Sequence, residues 1–164
     1  MAPASDPLDV SRRYWDDELG DPSRFFAMTE VMRLSRRVGD NLDQVLRTHT
    51  INRNGYLILM SLELSGTGSM ILGRLAQELI VHPTTVTLTI DKLEAEGYVK
   101  KQPHETDRRA IRATITKAGR AIARRVTTEL GAIGFGLGDL SPSQTTKLAA
   151  ATHSARRTSG DLGS

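Results

Sequence analysis

No cysteine occurs in the 164 residues. That excludes a disulfide framework, a thiolate zinc site and a cysteine-based redox sensor, and it fits a reducing compartment. Aromatics are scarce at 4%, with a single Trp, so a core must rest on Leu, Ile, Val, Ala and Met. No apolar run nears the roughly 18 residues of a membrane span. The first residues hold acids, not a basic segment before an apolar run, so no signal peptide is visible. The expectation is a soluble, cytoplasmic protein with no membrane partner. His49, His82, His104 and His153 are scattered, without carboxylate or Cys at ligand spacing, so no metal site is expected. Nucleophile elbows, Gly-rich phosphate loops and local Ser/His/Asp patterns are missing too. No catalytic residue and no cofactor is assigned.

What is present is charge in one place. The formal net charge is only +3. From Lys100 to Arg125, however, nine bases face two acids, while the remaining 13 bases and 17 acids leave the rest of the chain acidic. A focused basic segment is the footprint of phosphate binding, although a solvated basic face gives the same count.

Residues 1–20, with Pro3, Pro7 and several acids, read as an N-terminal arm or a short helix. Asp21-Pro22 then looks like a helix start, Asp as cap and Pro at the first position. Ala27, Val31, Leu34, Val38, Leu42 and Val45 follow at spacings of three and four, an apolar helix face. A second helix from Asn52 carries Tyr56, Leu59, Met60 and Leu64 and ends before Ser65-Gly66-Thr67-Gly68. Two short helices come next. Leu72, Leu75, Ala76 and Leu79 line the first; Pro83 opens the second, with Val86, Ile90 and Leu93 as its stripe and Gly97 at its end. Ile80 lies between them, where a β-branched residue resists positive φ, so ordinary backbone angles are expected in the turn. Tyr98 to Gln102 reads as extended and Pro103 to Asp107 as a turn. Ile111, Ala113 and Ile115 alternate as in a half-buried strand. Thr116 caps a further helix bearing Ile122, Val126, Leu130, Ile133 and Leu137, with a break expected among the four glycines of Gly131 to Gly138. Ser141-Pro142-Ser143-Gln144 matches a capping box before a closing helix with Leu148, Ala151 and Ala155.

Two short helices around a tight turn make a helix-turn-helix, whose second helix can enter a major groove; a basic hairpin after it can act as a wing. Many αα-hairpins never touch DNA, so the pair alone is a moderate signal. The residues then add a family resemblance. Leu75-Ala76, the run Val81 to Thr87, and Asp91-Lys92-Leu93-Glu94-Ala95-Glu96-Gly97-Tyr98-Val99 resemble the helix-turn-helix of MarR-type regulators. Asp107-Arg108-Arg109-Ala110 is similar to that family's wing signature, and Ile115-Thr116-Lys117-Ala118-Gly119 to the opening of its long dimerisation helix.

The fold so implied is mainly α with a small β-hairpin wing: a winged helix-turn-helix domain flanked by N- and C-terminal dimerisation helices. Residues 21–66 would supply dimerisation and support, 67–116 the DNA-binding domain, 117–157 the C-terminal dimerisation helices and 158–164 a disordered tail. The resemblance implies a homodimeric repressor on a palindromic promoter in double-stranded DNA. His82, Pro83, Thr84, Thr85, Thr87 and Leu88 would then meet the groove, Lys92 a phosphate, and Leu88 is a departure where the family often has a polar or basic residue. An exposed Leu there suits thymine contact; a buried one does not. Arg108 and Arg109 would enter a minor groove with Asp107 orienting a neighbouring Arg, while Arg74, Lys100, Lys101 and Arg112 support backbone contact. The resemblance further implies a small aromatic or phenolic effector, for which Phe25, Phe26, Met28, Met32, Arg53, Tyr56 and Met60 are candidates; the plain alternative for each is core packing. Rival readings are a protein-interaction module built on a winged helix, a non-specific nucleoid protein and, least supported, an enzyme.

Overall fold

The computed structural model describes residues 7–103 and 110–160. Helix α1 (Pro7–Arg12) and a 3-10 turn (Asp17–Leu19) lead into the long α2 (Ser23–Leu46). The Asp21 carboxylate accepts from the Ser23 backbone N–H at 3.0 Å and from its hydroxyl at 2.7 Å, and Pro22 already has helical angles. These bonds hold the Asp21 carboxyl below its ordinary pKa. The expected apolar face of α2 is open over its first half, where Ala27, Val31 and Leu34 are exposed, while Val38, Leu42 and Val45 are half-buried, the last two against the core. What α2 buries is Phe26, Gly39 and Leu46. Phe26 lies under Trp15, Phe25 and the Arg12 guanidinium.

After a 3-10 turn (Arg47–His49), Asn52 caps α3 (Arg53–Leu64) by accepting from the Gly55 N–H at 2.8 Å. This helix is wedged between α4 and α5 on one side and α6 on the other, so two of its faces are buried: Tyr56 and Leu59, and also Ile58 and Leu62. Met60 is half-buried, but Leu64, placed on the buried stripe by its spacing, is 77% exposed at the helix end, past the reach of either neighbour. The wholly buried Tyr56 ring keeps its hydroxyl satisfied 3.0 Å from Thr127 Oγ1, which itself donates to the Ala123 carbonyl.

A short strand, β1 (Ser69–Ile71), precedes α4 (Leu72–Leu79) and α5 (Pro83–Ala95); β2 (Val99–Pro103) and β3 (Ile111–Ile115) follow. The sheet is antiparallel with order β1-β3-β2, one strand more than the hairpin expected from the pattern. Three residues hidden behind Ser-Gly-Thr-Gly are too few to show a period. Ala113 and Ile115 face the core, while Ile111 at the far end is exposed.

Helix α6 (Lys117–Ala132) is capped by Thr116, which accepts from the Gly119 N–H at 3.0 Å. It stops in the glycine cluster, where a 3-10 turn (Gly134–Gly136) holds Phe135 at φ 52°. Gly136 lies flat on α2: its carbonyl accepts from Asn41 Nδ2 at 3.0 Å, and a Cβ there would stand 2.9 Å from Leu42. Helix α7 (Pro142–Thr158) begins with the full Ser141/Gln144 capping box, and none of its residues is buried. The described chain therefore ends in a helix with no core beneath it.

Candidate nucleic-acid interface

The turn between α4 and α5 departs from the expectation for Ile80. Its backbone is left-handed, φ 53° and ψ 47°. The reason is a Schellman closure: the Val81 N–H donates to the Ala76 carbonyl at 3.1 Å and the Ile80 N–H to that of Gln77 at 3.3 Å. Two otherwise orphaned carbonyls are satisfied, and Val81 is half-buried against the core. These gains outweigh the roughly 1–2 kcal/mol an L-residue loses in that region. His82 then caps α5, its Nδ1 accepting from the Thr84 N–H at 3.2 Å, with Pro83 at the first position.

On α5, Val86, Thr89, Ile90 and Leu93 are buried. Thr84, Thr87, Leu88 and Lys92 are exposed and Thr85 half-buried, so the side chains assigned to a groove share the outer face. Leu88 is 58% exposed. The Thr87 hydroxyl donates to the Pro83 carbonyl at 3.1 Å. Arg74 is exposed on α4.

The wing bases divide between two faces of the sheet. Lys100 pairs in register with Thr114, and Arg112 with Gln102 and Ile71, on the outer side. Lys101 pairs with Ala113 on the inner side, toward α5. There its ammonium meets Asp91 Oδ1 at 2.6 Å and Glu94 Oε2 at 2.9 Å, while its N–H donates to Glu94 Oε1 at 2.8 Å. The bond to Asp91 and then that to Glu94 raise the Lys101 pKa, and the same contacts lower that of Glu94. Lys101 thus pins the wing to α5 and covers a carboxylate that would otherwise repel a phosphate. Asp107, Arg108 and Arg109 lie outside the described residues, as does His104.

Arg120 and Arg124, counted in the basic segment, both reach Glu63 of α3, Arg124 at 3.0 Å. Arg124's hydrogen bond leads the causes that hold Glu63 below its ordinary pKa. Three of the nine bases are therefore matched by carboxylates from outside the stretch, and a linear count overstates the local field. Packing also adds a cation that no motif marks. Arg47 lines a cleft of about 440 Å³ together with Thr50, Asn52, Lys92 and Glu96. Only the seating of the α3 N-terminus on α5 brings Arg47 to the same cleft as Lys92, so no linear signal precedes it.

The seven effector candidates do not converge. Phe25 and Phe26 pack against Trp15 with tilted rings. Tyr56 and Met60 face Thr127 of α6. Met32 and Arg53 line a shallow cleft on α2 with Arg33 and Arg36, and Arg53 is paired to Asp43 at 2.9 Å. Met28 is exposed. His49 gains a partner invisible in sequence, Glu129 at 2.7 Å. Among the described residues no three His, Cys, Asp or Glu side chains could hold a metal ion, and no helix is long and apolar enough to cross a membrane.

Comparison with known proteins bears on the same segment. The family model matching residues 51–111 is described as the MarR family. A solved MarR family transcriptional regulator from Streptomyces coelicolor, Sco5413, superimposes with a TM-score of 0.78 at 31% identity, over 88% of this chain and 100% of that one. The chain belongs to the MarR family. The HTH-type transcriptional regulator PrsX of Escherichia coli is 30% identical over 100 residues, 61% of this chain and 60% of its own. The chain thus spans about 60% of the length of the curated relatives it matches. A mutant MarR from Escherichia coli, solved with operator DNA, shares the fold with a TM-score of 0.66 at 18% identity, over 85% of this chain and 96% of that one. In MarR family order, the three-stranded sheet and α4–α5 are this chain's winged helix-turn-helix.

Proposed function

We propose that this protein is a sequence-specific transcriptional regulator, a repressor that covers a promoter palindrome as a homodimer. The observation that carries this is the outer face of α5: Thr84, Thr87, Leu88 and Lys92 stand exposed on a helix capped by His82, with the acids on its flank neutralised by Lys101. Kinship over the whole length of a transcriptional regulator supports it, and the operator complex of Escherichia coli MarR supplies the analogy for how such a face is used. On this reading residues 67–116 bind DNA, residues 21–66 and 117–157 support and dimerise, and the protein works in the cytoplasm without catalysis. The second copy would cover the apolar groove between α2 and α7, lined by Val31, Leu34, Val38 and Leu148. Arg108 and Arg109 would read a narrow minor groove, and Arg47 would join Lys92 at a phosphate. A small aromatic or phenolic effector that favours an incompatible dimer spacing would release the DNA.

The test is a titration of the full chain against duplexes selected from a randomised library, with scrambled duplex as control, at several salt concentrations. Selective binding that weakens steeply with salt is expected. Arg109→Ala should weaken binding and lower the salt slope by about 1. Equal affinity for selected and scrambled duplexes would favour a nucleoid protein. No binding at low salt would favour a protein-interaction module.

A further inference from the structure

We infer that Leu88 reads the C5-methyl group of a pyrimidine in the major groove, so that the protein distinguishes thymine from uracil and 5-methylcytosine from cytosine. This rests on the DNA reading above. An isolated exposed Leu is ordinary on a protein surface and decides nothing alone. What singles out Leu88 is how few other means of readout its helix carries. The sequence of α5, PTTVTLTIDKLEA, holds no Arg, Asn or Gln, and of the side chains that bond purine edges in pairs it has only Lys92, a full turn past Leu88 where the reading above assigns a phosphate. Its acids Asp91 and Glu94 are occupied by Lys101. The Thr87 hydroxyl spends its proton on the Pro83 carbonyl. Hydrogen-bonded discrimination from α5 is therefore weak, and Leu88, 58% exposed, is the one large apolar side chain that α5 exposes.

Leu88 sits four residues from Thr84 and four from Lys92, midway along one face between a helix-entry hydroxyl and a phosphate-directed cation. A helix laid in the groove through those two points brings Leu88 to the base edges. In that groove the C5-methyl is the one apolar group any base offers, carried by thymine and equally by 5-methylcytosine. Burying one methyl is worth about a fourfold gain in affinity, and two half-sites would multiply it.

The experiment uses the full chain and the duplex it selects from a randomised library. Deoxyuridine replaces thymidine one position at a time, and Kd is measured for wild type, Leu88→Ala and Leu88→Met. One position per half-site should lose about fourfold in the wild type. Leu88→Ala should bind thymine and uracil duplexes equally there, and Leu88→Met should retain the difference. With C·G at that position, 5-methylcytosine should bind about fourfold more tightly than cytosine for the wild type and Leu88→Met, but not for Leu88→Ala. A selected site without thymine, uracil duplexes bound as tightly as thymine ones, or full discrimination kept by Leu88→Ala would overturn the inference while leaving sequence-specific binding intact. Failure of the library to enrich would overturn the DNA reading and this inference with it.

Discussion

Single residues in this protein act through what their neighbours leave unsatisfied. Ile80 accepts a left-handed backbone because the helix end needs its N–H and that of Val81 turned back onto Gln77 and Ala76. Its side chain is 66% exposed and contributes little packing. Ile80→Gly should therefore remove the strain and raise stability by up to about 1 kcal/mol, read as a shift in the urea midpoint at unchanged slope. A lower midpoint would mean that the exposed side chain contributes more than the turn costs. Gly119 is the opposite case. A Cβ on it would overlap the Tyr98 carbonyl oxygen and press on Ile115 at 2.9 Å, so the base of the wing rests directly on the first turn of α6. Gly119→Ala should cost about 1–3 kcal/mol by the same assay.

Between elements, ion pairs join what sequence keeps apart. Glu63 of α3 receives Arg120 and Arg124 of α6, and this link ties the supporting helix α3 to the first of the C-terminal helices. Its carboxyl lies below the ordinary value of 4.5 in the folded chain. A depressed folded pKa gives stability that is complete above that ordinary value and lost as pH falls through the folded one. Glu63→Gln should therefore lower the melting temperature near pH 7 and flatten its decline below about pH 4.5. Asp21 and Glu94 are shifted the same way, so the informative quantity is the difference between wild type and variant. An unchanged difference from about pH 6 to about pH 3 would remove the link from the account of stability. The pairing of Lys101 with Asp91 and Glu94 plays the corresponding part between wing and α5.

At the scale of the molecule, the first half of the apolar face of α2 and the whole of α7 are left without a core in one protomer. The groove they form is lined by Leu34, Leu148 and Val31 with few polar groups. A second copy is the occupant proposed for it. Leu34→Asp should shift sedimentation from dimer to monomer, weakening self-association at least about a hundredfold if the residue is buried twice, once per copy. DNA affinity should fall with it, because two half-sites are then bound independently. A dimer of undiminished strength would place the interface elsewhere.

Local chemistry was legible in the sequence from the start. The start of α3 at Asn52, the caps at Thr116 and Ser141, the glycine break after α6, the stripe of α5 and the alternation of β3 all depend on residues within one or two turns of each other. Short-range hydrogen bonds and side-chain period decide them. The order of elements and the outer face of α5 followed directly, since a helix stripe assigned to the core assigns the opposite face to solvent. Packing alone decided the rest. Sequence spacing could not place β1, which exists by pairing with β3, nor distinguish a stripe awaiting a core from one awaiting a partner, as on α2. Nor could it see that Glu63, Asp91 and Glu94 would claim three of the nine bases, or that Arg47 would line one cleft with Lys92. Charge and burial are properties of neighbourhoods in space, and only the folded chain assembles those neighbourhoods from residues far apart in sequence.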